Sequence, residues 1–280
     1  MIKCVILDFD GTFTDVEKEG APFTEAFRAQ VGDLLGRNVD DDWARLTVEV
    51  DGKPDVYGWE YEGKIVAPAN ADPYIRATTV AGRLFNELGV LADAATRAEI
   101  IHALYHLAYR RSGTAFRNDA RDVLSSLAST DVPVVVVTNA STDVVNRKLA
   151  ELAPRGLERI EVIGDARKYA VVDPKRHDGR FDLVPAELHL PGLARPIAPR
   201  RGHYFDVLAG VAARTGVEMR DRLVCGDIFE LDLVMPAELG MHVHLVSGPH
   251  TPAYELAALA QLAPRATVGK LDDVLGRLEG

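Results

Sequence analysis

Cysteine is scarce in this chain: Cys4 and Cys225 are the only two in 280 residues. Each lies in an apolar run shortly before an aspartate. That setting suits a buried thiol, and two cysteines are too few for a scaffold held by disulfides. Long hydrophobic runs are missing as well. No apolar stretch approaches the roughly 20 residues that span a bilayer, and the run after Lys3 is too short for a secretory signal. The expectation is a cytoplasmic protein with no membrane partner. Positive charge is in deficit: 32 Lys and Arg against 42 Asp and Glu leave a net charge of −10. Such a surface repels backbone phosphates, so no nucleic-acid partner is expected. There are no internal repeats and no long blocks of like charge. These properties do not bear on oligomeric state.

What is present is an ordinary globular balance, 47% hydrophobic and 26% charged. The length allows one large domain or a domain with a sizeable insert. Short runs rich in β-branched residues occur at 2–7, 132–137, 159–163, 222–225 and 243–247. They are apolar on both faces, as strands covered by helices on two sides must be. Helical periodicity fills the intervals at 118–128, 142–153, 203–215, 253–262 and 271–278. Alternation of this kind predicts an α/β fold with a Rossmann-like, doubly wound parallel sheet.

Two stretches interrupt the alternation. Residues 16–115 carry helical patterns, through Phe23, Phe27 and Val31, through Tyr74, Ala77, Ala81 and Leu84, and across 93–110. They predict a helical domain inserted after the first strand, leaving 1–15 and 116–280 as the α/β core. Within the insert, 51–73 reads as a long irregular connection. There Tyr57, Trp59 and Tyr61 alternate, as a lid or a small hairpin would have them. Residues 165–200, with Pro185, Pro191, Pro196 and Pro199, predict a hairpin or ordered loop.

The chemistry concentrates at strand ends. Asp8-Phe9-Asp10-Gly11-Thr12 follows the first strand directly. In extended backbone, side chains two residues apart share a direction, so Asp8 and Asp10 can face one crevice at the strand's C-terminal end, where open α/β sheets bind ligands. Two close carboxylates need a cation or a shared proton, and Mg²⁺ suits oxygen ligands and brings phosphate with it. The second strand ends in Thr138-Asn139-Ala140-Ser141, whose hydroxyls and backbone N–H groups can cradle a phosphate or simply cap the next helix. The fourth ends in Gly226-Asp227-Ile228-Phe229-Glu230-Leu231-Asp232. In a parallel sheet these carboxylates converge on the edge that carries Asp8, although Glu230 also fits a solvated helix start.

DFDGT, VVVVTNAS and VCGDIFELD, in this order and at strand ends, resemble three motifs of the haloacid dehalogenase superfamily. The resemblance covers about 1–15 and 116–280 and places the 16–115 segment where that family carries a helical cap. It implies roles. Asp8 would be the nucleophile, and Asp10 would protonate the leaving oxygen and then activate water. Thr138 would bind the transferring phosphoryl group, with Gly11, Thr12 and Asn139 around it. Asp8, the Asp10 backbone carbonyl, Asp227 and Asp232 would hold Mg²⁺. The family's remaining motif is a lysine before the helix that leads to the fourth strand. Here that place reads Pro199-Arg200-Arg201-Gly202-His203, so Arg201 is the preferred source of the positive charge and Lys168 its rival.

The expected activity is a phosphatase acting on a small phosphorylated metabolite. A phosphomutase-type transfer and a non-catalytic binding protein on the same fold are the alternatives. His102 and His106, four apart on a helical pattern, have zinc spacing but no third ligand in reach of the sequence.

Overall fold

The computed structural model describes residues 1–278. From the N-terminus, β1 (Cys4–Leu7) leads to α1 (Val16–Leu35), α2 (Asp40–Asp51), β2 (Gly58–Tyr61), β3 (Lys64–Pro68), α3 (Pro73–Glu87) and α4 (Ala94–Tyr109). Then come α5 (Ala120–Ala128), β4 (Val134–Val137), α6 (Thr142–Leu152), β5 (Ile160–Ile163) and α7 (Gly202–Thr215). The chain closes with β6 (Arg222–Gly226), α8 (Val234–Glu238), β7 (His242–Val246), α9 (Ala253–Gln261), β8 (Ala266–Gly269) and α10 (Asp273–Gly276). No helix among the described residues is long and apolar enough to cross a membrane.

The chain divides into two compact units. The first comprises Met1–Asp15, Tyr61–Val66 and the chain from Phe116 onward; the second comprises Val16–Glu60 and Ala67–Ala115. The first unit is built on a parallel sheet of order β5-β4-β1-β6-β7-β8, in which Ile6 pairs with Val135 on one side and Val224 on the other. Side chains alternate between two cores. Cys4, Ile6, Val135, Val224 and Leu245 join Leu208, Val211, Met235 and Leu259 on one face. Val5, Leu7, Val136, Leu223 and Cys225 join Val123, Leu127, Leu149 and Val274 on the other. Both faces are therefore dry, which is why the strands read as continuous apolar runs. Both cysteines are buried free thiols. The strand order reverses beside β1, so the crevice for a ligand lies at the C-terminal ends of β1 and its neighbours.

The second unit packs α1 to α4 around Phe23, Phe27, Trp43, Leu46, Ala81, Leu84 and Phe85. Helix α2 went unread in the sequence, although Trp43, Leu46 and Val50 mark its buried stripe. The expected irregular connection at 51–73 is partly ordered: β2 and β3 form a two-stranded sheet. They meet at Glu62-Gly63, both with positive φ (49° and 75°), as a tight hairpin turn requires. The six residues at this turn, Tyr61–Val66, group with the first unit, so 16–115 is not one continuous segment of the second.

Residues 165–200 contain only a 3-10 turn at Phe181–Leu183 and a single bridge between Leu188 and Ile197. The segment is nevertheless anchored, because Phe181, Val184, Leu190, Leu193 and Ile197 are buried in the core beside α7. His102 and His106 place their Nε2 atoms 2.9 Å apart on α4, and no third metal-ligating group joins them among the described residues. His244 is buried in β7 and bonded to Thr267 Oγ1 and the Lys270 carbonyl.

Candidate active site

At the end of β1 the backbone stays in the sheet for one more residue: the Asp8 N–H donates to the Cys225 carbonyl at 2.8 Å. It then turns at Gly11, where φ is +79° and a Cβ would stand 2.0 Å from Asp227 Oδ2. Only glycine lets that carboxylate lie so close to the turn. Arg117, unread in the sequence, clamps the turn by donating Nε and Nη2 to the Gly11 carbonyl at 3.0 and 2.6 Å. Thr12 Oγ1 lies 3.4 Å from Asp8 Oδ2. Asp10 lies 3.4 Å from Nζ of Lys148 on α6, a second cation that the sequence did not single out.

The end of β4 and the turn after β5 are joined by backbone bonds. Asp165 N–H donates to the Ala140 carbonyl at 2.9 Å and Ala166 N–H to the Thr138 carbonyl at 3.0 Å. Gly164 allows this approach, since a Cβ there would lie 2.2 Å from the Thr142 nitrogen. Thr138 is buried, and its hydroxyl accepts from the Ala140 N–H at 3.1 Å. Asn139, expected at the phosphate, accepts the Lys168 N–H on its Oδ1 at 2.8 Å. Asp165 and Arg167 adopt left-handed φ values of 52° and 47°. Such conformations cost roughly 1–2 kcal/mol each and persist only where the surroundings impose them.

This turn carries Lys168 into the site. Its ammonium is 2.6 Å from Asp8 Oδ1 and 2.8 Å from Asp232 Oδ1, with 1% of the side chain exposed, and it lies over the Tyr204 ring. The preference for Arg201 is corrected here. Arg201 is fully buried, but its guanidinium donates to the carbonyls of Ala198, Tyr169 and Val66 at 2.8, 2.9 and 3.2 Å. The planar fork satisfies backbone acceptors, and the compact ammonium meets the carboxylates.

Beyond β6, a π-helical turn at Phe229–Leu233 brings Asp232 back beneath the strand end. Asp232 Oδ2 accepts the Ile228 N–H at 3.2 Å, and Tyr204 Oη donates to the Asp232 carbonyl at 3.1 Å. Glu230, which fitted a solvated helix start, is fully buried. Arg195 from the 165–200 segment holds it through two bonds of 2.9 and 2.8 Å, and Tyr254 Oη also donates to it. It serves packing and stays outside the carboxylate cluster.

Asp8, Asp227 and Asp232 each offer an oxygen within 4.8 Å of the others. Three carboxylates and the Lys168 ammonium leave two negative charges, which one divalent cation balances. A hard ion such as Mg²⁺ fits this all-oxygen donor set, and Gly11 is what lets Asp227 join it. Burial pushes the Asp8 carboxyl up to about 7, with Lys168 opposing and Asp232 adding to the rise. Lys168 is held above its ordinary range: burial acts to lower it, but Asp232 and Asp8 outweigh that. The ammonium therefore stays charged.

The haloacid dehalogenase-like hydrolase family matches residues 2–176, from β1 through the Lys168 turn. The chain belongs to this family. No curated protein matches this chain by sequence. Solved structures share its fold along nearly the whole length. A predicted phosphoglycolate phosphatase from Haemophilus somnus aligns over 99% of this chain and 98% of its own, at 13% identity and a TM-score of 0.58. The magnesium-bound YfnB of Bacillus subtilis, described as a HAD-hydrolase, aligns over 100% and 99% at 13% identity, TM-score 0.57. A Thermotoga maritima protein designated a beta-phosphoglucomutase aligns over 99% of both chains at 14% identity, TM-score 0.54. At such identities the likeness shows the fold.

Proposed function

We propose that this hydrolase is a Mg²⁺-dependent phosphatase that cleaves a small phosphomonoester through an aspartyl-phosphate on Asp8. The observation that carries the reading is the Lys168 ammonium between Asp8 and Asp232, at 2.6 and 2.8 Å, beside the third carboxylate of Asp227. Asp8, Asp227 and Asp232 would hold the ion, together with the Asp10 backbone carbonyl. When bound, it neutralises charge on the phosphoryl oxygens. An Asp8 carboxylate oxygen forms the bond to phosphorus as the bond to the leaving oxygen breaks. Asp10 delivers the proton that the leaving oxygen takes up. It then accepts one from the water that attacks phosphorus; the bond between phosphorus and the Asp8 oxygen breaks, and inorganic phosphate leaves with the Asp8 carboxylate restored. The Thr138 hydroxyl receives the phosphoryl oxygens, and Lys168 orients Asp8. The lysine absent from 199–203 would favour the non-catalytic reading, and the Lys168 ammonium beside Asp8 speaks against it.

Phosphate release from p-nitrophenyl phosphate tests the proposal. It should require Mg²⁺ and vanish in Asp8→Asn; full activity in EDTA would contradict it. An isomeric sugar phosphate formed without free phosphate would instead favour the phosphomutase alternative.

A further inference from the structure

We infer that Arg201 is a positioning residue for Lys168, fastening the Lys168 turn and the 61–66 turn to one buried guanidinium. The inference rests on the proposed role of Lys168 beside Asp8. It begins with the shape of the turn. The N-terminal side of the turn is bonded to the β4 end through Asp165 and Ala166, and Lys168 itself through Asn139. Its C-terminal side, one residue past Lys168, is the Tyr169 carbonyl, which accepts from Arg201 Nη1 at 2.9 Å. Between these fixings lie the left-handed Asp165 and Arg167. A turn held in that conformation relaxes when a fixing is removed. Lys168 has little tolerance for relaxation, because its contacts of 2.6 and 2.8 Å to Asp8 and Asp232 fail with a shift of about an ångström.

The same guanidinium donates Nη2 to the Val66 carbonyl at 3.2 Å and Nε to the Ala198 carbonyl at 2.8 Å. The rings of Tyr61 and Tyr169 lie 5.8 Å apart. Residues 61–66 thus meet the Lys168 turn through Arg201 and through the Tyr61–Tyr169 ring contact, within the first unit. The three carbonyls are met from three separate nitrogens, Nε, Nη1 and Nη2; the three donors of a lysine share one nitrogen and do not span them.

Hydrogen exchange and steady-state kinetics of Arg201→Met, Arg201→Lys and Arg200→Met test this together. Arg200 is the control: it lies over the Phe181 ring and 3.5 Å from Asp173. In Arg201→Met, peptides covering 61–68 and 164–172 should lose protection while those of β1, β4 and β6 keep it. Its kcat should fall about tenfold or more with KM nearly unchanged, the cost of misplacing a catalytic group. Arg201→Lys should fall between, and Arg200→Met should match the parent. Parental protection at 164–172 in a folded Arg201→Met overturns the inference, as does the same loss in Arg200→Met. Should Arg201→Met not fold, Tyr61→Ala carries the test, with exchange at 164–172 expected to rise; unchanged exchange sinks the bracing role. The exchange readout needs no phosphatase activity, so a parent that releases no phosphate refutes the proposed function alone.

Discussion

Lys168 and Arg201 are cations of the same unit, both almost wholly buried, and they meet different acceptors. Lys168 ends between two carboxylates; Arg201 ends among three carbonyls. A charge facing carboxylates at a strand end can take part in chemistry there. One facing backbone acceptors holds segments in place. In the proposed mechanism the start of α7 lends support, through Arg201 and through Tyr204 under the Lys168 ammonium, while the turn after β5 brings the charge. Position along the chain is a weaker guide to role than the acceptor a donor reaches.

Several measurements bear on that contrast. A large change in stability is expected from Arg195, in the 165–200 segment, which pairs with fully buried Glu230. Breaking a buried pair typically costs about 3–5 kcal/mol. Denaturation of Arg195→Met should show a loss of that size, with kcat per folded molecule close to the parent's. A much lower kcat in protein of parental stability would place Arg195 with the chemistry. Lys168→Met also breaks a buried pair and should lose stability, but unlike Arg195→Met it should lose turnover per folded molecule. Its kcat should drop about 10²–10³-fold, the usual effect of removing one preorganised electrostatic partner. Turnover near the parental level would end the assignment of Lys168.

A third test uses pH. The Asp8 carboxyl is raised to about 7 by burial, against an ordinary value near 4. The folded, metal-free protein therefore binds more protons than the unfolded chain between those values. The contribution of Asp8 to stability is complete below about 4 and is lost as pH rises through about 7. In EDTA the Tm should fall from pH 5 to pH 8, Mg²⁺ should raise it more at pH 8 than at pH 5, and Asp8→Asn should flatten the slope. A metal-free Tm insensitive to Asp8→Asn across that range would contradict the account. The smallest effect belongs to Asn139, which contributes one bond to the Lys168 turn. Loss of a bond worth about 1 kcal/mol predicts a decline in kcat of up to about tenfold in Asn139→Ala. A hundredfold loss would return Asn139 to the phosphate.

Much of this was legible in the sequence because it is local. Alternation of strand and helix announced the parallel sheet, and the spacing of Asp8 and Asp10 at the end of an apolar run marked the crevice. Asp227 and Asp232 were readable by the same logic, since parallel strands bring their C-terminal ends to one edge. What stayed open or hidden depends on tertiary partners. Lys168, named in the sequence only as the rival of Arg201, sits in a turn that Gly164 lets approach the β4 end and that Asn139 receives. Lys148 and Arg117 are ordinary basic residues of a helix and a loop until their acceptors, Asp10 and the Gly11 carbonyl, are known. The hairpin turn at Glu62-Gly63 lacks the Asn-Gly or Asp-Gly pair that makes such turns visible. Glu230 looked solvated because its partner Arg195 is 35 residues away.

The central claim is that Asp8 is the group that takes up phosphorus. The most direct measurement is mass analysis of the peptide containing Asp8 after acid quench of the Mg²⁺-loaded protein turning over a phosphomonoester. The account predicts a phosphoryl group on Asp8 in the parent and none in Asp8→Asn. Rapid phosphate release with no label on Asp8, or turnover retained in Asp8→Asn, would contradict it.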